Sequence, residues 1–108
     1  MANFFGTNLV TLDSSFIYFG QTTIPDETAT QISNSADLTD LVYGMFFVVV
    51  DSASFFLNAG GGDPAVTTAN GIKCSANNPV FIPVKDGRDI YCIIDSSGAS
   101  KIISWMAM

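Results

Sequence analysis

The sequence predicts an all-β domain: two antiparallel sheets packed as a sandwich, jelly-roll-like, with at most one short helix. Three observations carry that reading. Apolar and polar residues alternate with period two along much of the chain, turn signals built from Gly, Pro, Asn and Asp recur at short intervals, and eight or nine strand-like runs fit into 108 residues. Runs of that number and length pack as two sheets. At 11.5 kDa the chain makes one domain, residues 1–108, with residues 1–8 as an extended arm.

Residues 7–12 form a first strand, closed by Asp13, Ser14 and Ser15, and residues 16–19 a second, ended by Gly20. The chain turns over residues 22–25, because Pro25 restricts Ile24 and has no N–H to give a ladder. Residues 28–32 make a β-branched strand, with Thr28, Thr30 and Ile32 on one side and Ala29 and Gln31 on the other. Leu38, Leu41, Val42 and Met45 then fall at helical spacing, with Ser35, Asp37 and Asp40 placed to cap the start. One or two helical turns near residues 37–41 are expected. Gly44 and the run Phe46-Phe47-Val48-Val49-Val50 oppose a longer helix and predict a long central strand over residues 42–50. Five large apolar residues in succession predict a strand covered on both faces, one by the core and the other by a partner or the helical segment.

After Asp51-Ser52, residues 54–58 form the next strand. Gly60, Gly61 and Gly62 ahead of Asp63-Pro64 predict a mobile or irregular connector. Asn70-Gly71 is a strong turn signal and predicts a hairpin joining residues 66–68 to 71–74. Residues 80–84 form a strand with Pro83 near its end, which places it at a sheet edge. The last two strands, residues 88–95 and 101–108, read as a hairpin around a Ser- and Gly-rich loop. Ile90, Cys92 and Ile94 share one face of the first, opposite Tyr91 and Ile93; in the second, Ile103, Trp105 and Ala107 alternate with Ile102, Ser104, Met106 and Met108.

The function classes narrow by elimination. Apolar residues make up 48% of the chain and charged ones 13%, the reverse of a disordered composition. No apolar stretch approaches membrane-spanning length, and the first residues lack the basic and apolar regions of a secretion signal, so no membrane partner is expected. Histidine is absent, which removes Ser-His-Asp and Cys-His catalysis and the commonest zinc ligand. Cys74 and Cys92 read as buried thiols rather than a disulfide scaffold or redox pair. All four bases lie beyond residue 72, where three of the ten acids also lie, and the net charge is −6. Four scattered bases on an acidic chain do not supply the phosphate contacts of a nucleic-acid binder.

Several short patterns invite a catalytic or binding reading, and each yields to a plainer one. Asp95-Ser96-Ser97-Gly98-Ala99 after Ile93-Ile94 is near the retroviral-type aspartic protease loop, but the additional Ser displaces the carboxylate from a symmetric dyad. Gly60 to Pro64 lacks the Lys-Ser/Thr ending and the following helix of a phosphate-binding loop. Asp86 with Asp89, and Asp26 with Glu27, match no calcium-loop spacing. Tyr18, Tyr43, Tyr91 and Trp105 on alternating strand positions read as core rather than as a sugar-stacking surface. No enzyme, cofactor or metal site is expected. What remains is excess greasy surface: nine Phe in a chain this poor in charge call for cover from further copies or a larger surface. The candidate contact residues are Phe4, Phe5, Phe46, Phe47, Val49, Pro83 and Trp105, with strand addition by Phe4-Phe5 or at the edge near Pro83 as one route.

Residues 45–108 carry an ordered series: Phe47-Val48-Val49-Val50-Asp51, Phe55-Phe56-Leu57-Asn58-Ala59-Gly60, Val66-Thr67-Thr68-Ala69-Asn70-Gly71-Ile72, Pro79-Val80-Phe81-Ile82-Pro83-Val84, Asp89-Ile90-Tyr91-Cys92-Ile93-Ile94 and Ile102-Ile103-Ser104-Trp105. The series resembles a small β-sandwich module of structural proteins in tailed bacteriophage particles. The resemblance implies a virion part without catalytic residues, a capsid decoration (cement) protein on the capsid surface. It further implies the major capsid protein as partner, at junctions between its subunits, and a homo-oligomer, a trimer ahead of a dimer. The alternative it leaves is a fibre, tail or receptor (carbohydrate)-binding module.

Overall fold

Period-two alternation builds eight strands in the described residues, 17–49, 54–95 and 98–108 of a computed structural model. They are β1 (Tyr18–Ile24), β2 (Thr30–Gln31), β3 (Met45–Val48), β4 (Phe55–Asn58), β5 (Ile72–Cys74), β6 (Val80–Ile82), β7 (Tyr91–Ile94) and β8 (Lys101–Ala107). Sheet 1 has the order β1-β8-β3-β6 and sheet 2 the order β2-β7-β4-β5, with every pairing antiparallel. The protein is a two-sheet β-sandwich.

Its core follows from the alternation. Met45, Phe47, Ile82, Ile103 and Ala107 point inward from sheet 1, and Phe55, Leu57, Cys74, Cys92 and Ile94 from sheet 2. Ile90, Cys92 and Ile94, expected to share one face, are fully buried, so that face is the inward one. Burying a side chain of this kind is worth about 1.5–3 kcal/mol, so these two inner faces supply the main drive to pack.

Among the described residues, two single 3-10 turns, Ala36–Leu38 and Gly87–Asp89, accompany the strands. Ser35 caps the first through its side chain, as its position predicts, and buries Leu38; the second, capped by Asp86, replaces the start expected for the strand at 88–95. Among the described residues β6 is the last strand of sheet 1, as expected of the Pro83 strand, although it ends at Ile82 rather than running to 84.

Several expectations are corrected. Residues 88–95 and 101–108 do not form a hairpin: β7 lies in sheet 2 and β8 in sheet 1. Both strands carry an apolar inward face, and those faces meet across the core instead of side by side. The strand ended by Gly20 instead runs through it to Ile24, because Gly20 serves packing rather than turning. A Cβ there would stand 2.7 Å from the Trp105 ring, so only glycine admits the indole. Residues 66–68 and 71–74 are not paired. Thr67 to Gly71 closes instead as a local turn, its carbonyl at Thr67 accepting from the Asn70 and Gly71 N–H groups, while β5 pairs with β4. The central strand starts at Met45 rather than 42, since Gly44 sits at φ +143°. The Gly60–Pro64 connector is irregular, as expected: Gly61 and Gly62 take positive φ, and the Gly61 N–H donates to the Asp89 carbonyl (2.9 Å). The expected strand at 7–12, along with Phe16 and Val50, lies outside the described residues.

Candidate interaction face

The outward side of sheet 1 gathers what the sequence scatters. Register places Phe19 opposite Met106, Met106 opposite Phe46, and Phe46 opposite Phe81, so one apolar row crosses all four strands. Residues directly opposite on neighbouring strands share a face, which makes the row contiguous. Phe19 is 80% exposed, and Met106, Phe46 and Phe81 are each close to 40%. The Phe46 and Phe81 rings lie 4.7 Å apart, tilted at 48°.

The neighbouring positions are Val48, Ser104 and Gln21, then Ile102 and Thr23. Gln21 donates from Nε2 to Ser104 Oγ at 3.4 Å. No Asp, Glu, Lys or Arg stands on this face among the described residues. Beside the row is a shallow depression of about 340 Å³, lined by Phe46, Val48, Pro79, Ser104 and Met106, with Phe47 and Trp105 beneath.

Sheet 2 faces solvent differently. Its outward positions include Phe56, Ile93 and Tyr91, all half-buried, together with Lys73. The connector folds against them: Gly62 lies against the Tyr91 ring and Gly71 against Phe56. One sheet is therefore partly roofed by its own chain, and the other is open among the described residues.

The expected contact residues divide. Phe46 lies on the open face, and Pro83 is exposed just beyond the β6 edge. Phe47 and Val49 belong to the core instead, each 1% exposed, because alternation turns every second residue over 46–49 inward. Trp105 also points inward. Its indole is half-buried against the core and donates from Nε1 to Thr22 Oγ1 at 3.1 Å. Phe4 and Phe5 lie outside the described residues. Sequence reasoning missed Phe19, Phe81, Met106 and Ile102. Period two alone marks them as opposite to buried neighbours, but only strand pairing aligns them into one row.

The residues that invited a chemical reading stay apart. Tyr18, Tyr43, Tyr91 and Trp105 sit on the edge of sheet 1, a loop, the outside of sheet 2 and the inside of sheet 1, so they form no common aromatic platform. The Asp86 carboxylate grips Arg88 through two oxygens (3.0 and 2.7 Å) and accepts from the Arg88 N–H. Those bonds and the adjacent guanidinium hold its pKa below the usual carboxylate range. Asp26 accepts from the Gly98 N–H at 3.1 Å. Among the described residues no three His, Cys, Asp or Glu side chains converge, and no helix is long and apolar enough to cross a membrane.

Cys74 and Cys92 are buried free thiols. They flank β4 from opposite sides, Cys74 paired with Phe55 and Cys92 with Leu57. Two strand spacings put about 10 Å between their backbones, beyond the roughly 7 Å limit for a bridge. Burial, reinforced by proximity to Cys74, pushes the Cys92 thiol up to about 12. Comparison with protein-family models, with curated proteins and with solved structures finds no match for this chain.

Proposed function

We propose that this chain is a non-enzymatic structural protein of a virus particle, a capsid decoration (cement) protein. It would bind the outer shell at junctions between major capsid protein subunits and stabilise them. The observation that carries the reading is the uncharged outward face of sheet 1, where Phe19, Met106, Phe46 and Phe81 stand in one row. A solitary domain gains nothing from such a row, whereas an assembly component gains a contact surface. The ordered strand motifs over residues 45–108, which resemble tailed-phage structural modules, support the same reading. Acids in the first two-thirds of the chain suit a basic shell rim around an apolar centre.

The test is retention. Purified empty shells are expected to hold the protein at a saturating copy number that follows the shell symmetry, and Phe46→Asp with Phe81→Asp is expected to release it. Shells that never retain the wild-type protein would overturn the proposal.

A further inference from the structure

We propose that free copies of this chain pair face to face through the outward side of sheet 1, Phe19 of each copy seated in the partner's depression. The occupant is a second copy of this chain. The inference shares with the reading above only the premise that this face is an interface, and it needs no shell.

Charge is the first argument. Each copy carries a net −6, so contact through most surfaces sets carboxylates against carboxylates. The outward side of sheet 1 has no ionised side chain among the described residues, so two copies meet there without desolvating any charge.

Shape is the second. Phe19 stands on β1, the outermost strand of sheet 1 among the described residues, 80% exposed as a projecting knob. The depression lined by Phe46, Val48, Pro79, Ser104 and Met106 lies on the same face, toward β3. A symmetric contact requires that the element reaching across also be received in return. In a face-to-face pair, a twofold axis lying in the interface exchanges any two points that it bisects. One axis midway between knob and depression therefore seats both Phe19 rings at once.

Area is the third. The exposed fractions of Phe19, Phe46, Phe81, Met106 and Ile102 amount to roughly 450 Å² of apolar side chain per copy, given the 150–250 Å² that an aromatic residue can bury. Two copies then bury about 900 Å², and the intervening Gln21, Thr23 and Ser104 bring the pair near the ~1,200 Å² where specific interfaces begin. Pairing of that size is reversible and concentration-dependent. Salt strengthens it, because screening weakens repulsion between two acidic bodies while leaving an uncharged contact intact.

Sedimentation equilibrium on the full chain over a concentration series tests this. The wild-type mass is expected to rise from 11.5 kDa toward twice that value, more readily at higher salt. Phe19→Asp removes the knob and Ser104→Arg fills the depression, and each is expected to weaken pairing on the order of 30-fold or more. Both positions point outward, so thermal unfolding and circular dichroism should match wild type. Val42→Asp, at an exposed apolar residue off this face, should leave pairing unchanged. A wild-type mass that stays single at every concentration overturns the proposal. If Phe19→Asp then also lowers the melting temperature, residues 1–16 of the same chain cover the face. A threefold mass, or a twofold mass indifferent to both variants, overturns it as well. Pairing without shell retention would sink the decoration reading alone, and retention without pairing would sink this inference alone.

Discussion

Gly44→Ala tests how tightly the entry into β3 is held. Gly44 sits at φ +143°, a region that L residues rarely adopt, between the end of β6 and the start of β3. Its N–H donates to the Met108 carbonyl and its carbonyl accepts from the Met108 N–H, both at 3.0 Å, so the backbone cannot swing away without breaking that pair. A Cβ would stand 2.2 Å from the Ile82 carbonyl oxygen and 2.8 Å from Pro83 Cα. Both are backbone atoms, and no rotamer change relieves the clash. Strained φ costs about 1–3 kcal/mol and overpacking about the same again, which together give about 4 kcal/mol. A domain of this size loses roughly 4–8 °C of melting temperature per kcal/mol, so the expected drop is about 15–30 °C. Gly98→Ala is the control: φ is +77°, but nothing lies within 4 Å of the added Cβ. It isolates backbone strain, about 1–2 kcal/mol. The assay is thermal unfolding of both variants, with urea midpoints as a second measure. Failure of Gly44→Ala to refold would agree with the larger cost. Equal losses for the two glycines would refute the reasoning, because crowding at Gly44 would then count for nothing.

Two further outcomes follow from the core. Cys92, fully buried with its pKa pushed up to about 12, is expected to resist thiol reagents until the protein unfolds. Above about pH 9 the unfolded thiol sheds a proton that the folded one keeps, so stability falls as pH rises, by up to about 1.4 kcal/mol per pH unit until roughly pH 12. Urea unfolding at pH 8 and pH 10.5 should show this slope, and Cys92→Ala should flatten it; an unchanged slope would assign the alkaline loss to other groups. Gly20→Ala is expected to push the Trp105 indole off its seat, moving the emission of the chain's single tryptophan to the red and lowering stability by about 1–3 kcal/mol. Unshifted emission would mean that the ring does not rest on Gly20.

Legibility in the sequence ran as far as local chemistry reaches. The sandwich, the shared face of Ile90, Cys92 and Ile94, the Ser35 cap and the edge placement of the strand near Pro83 all follow from alternation, capping and proline chemistry. Strand partnership did not. An apolar strand, a Ser- and Gly-rich loop and a second apolar strand fit a hairpin and a sheet-to-sheet crossover equally well, and only the whole core decides that β7 joins β4 while β8 joins β1 and β3. The same blindness hid the outward apolar row of sheet 1. In the 46–50 run the sequence displays hydrophobicity without direction, so Phe47 and Val49 looked as available as Phe46 until the pleat turned them inward.

The difference between the two sheets accounts for the open face. Each carries large apolar residues on its outward side, Phe56 and Ile93 on sheet 2, and Phe19, Phe46, Phe81 and Met106 on sheet 1. Sheet 2 receives the connector between β4 and β5, whose Gly62 lies against the Tyr91 ring and whose Gly71 lies beside the Phe56 Cβ and backbone, and both side chains are half-buried. That approach depends on residues without side chains, which explains glycine at 62 and 71 better than mobility does. Among the described residues, sheet 1 receives no comparable segment. Among the described residues, then, the connector covers part of one outward face, while the more apolar one carries no cover and no charge, the contrast on which the proposed contact rests. Polar substitutions at Phe19, Phe46 or Phe81 would then cost assembly while sparing the fold, whereas the same change at Phe47 would cost the fold itself, because Phe47 is 1% exposed in the core.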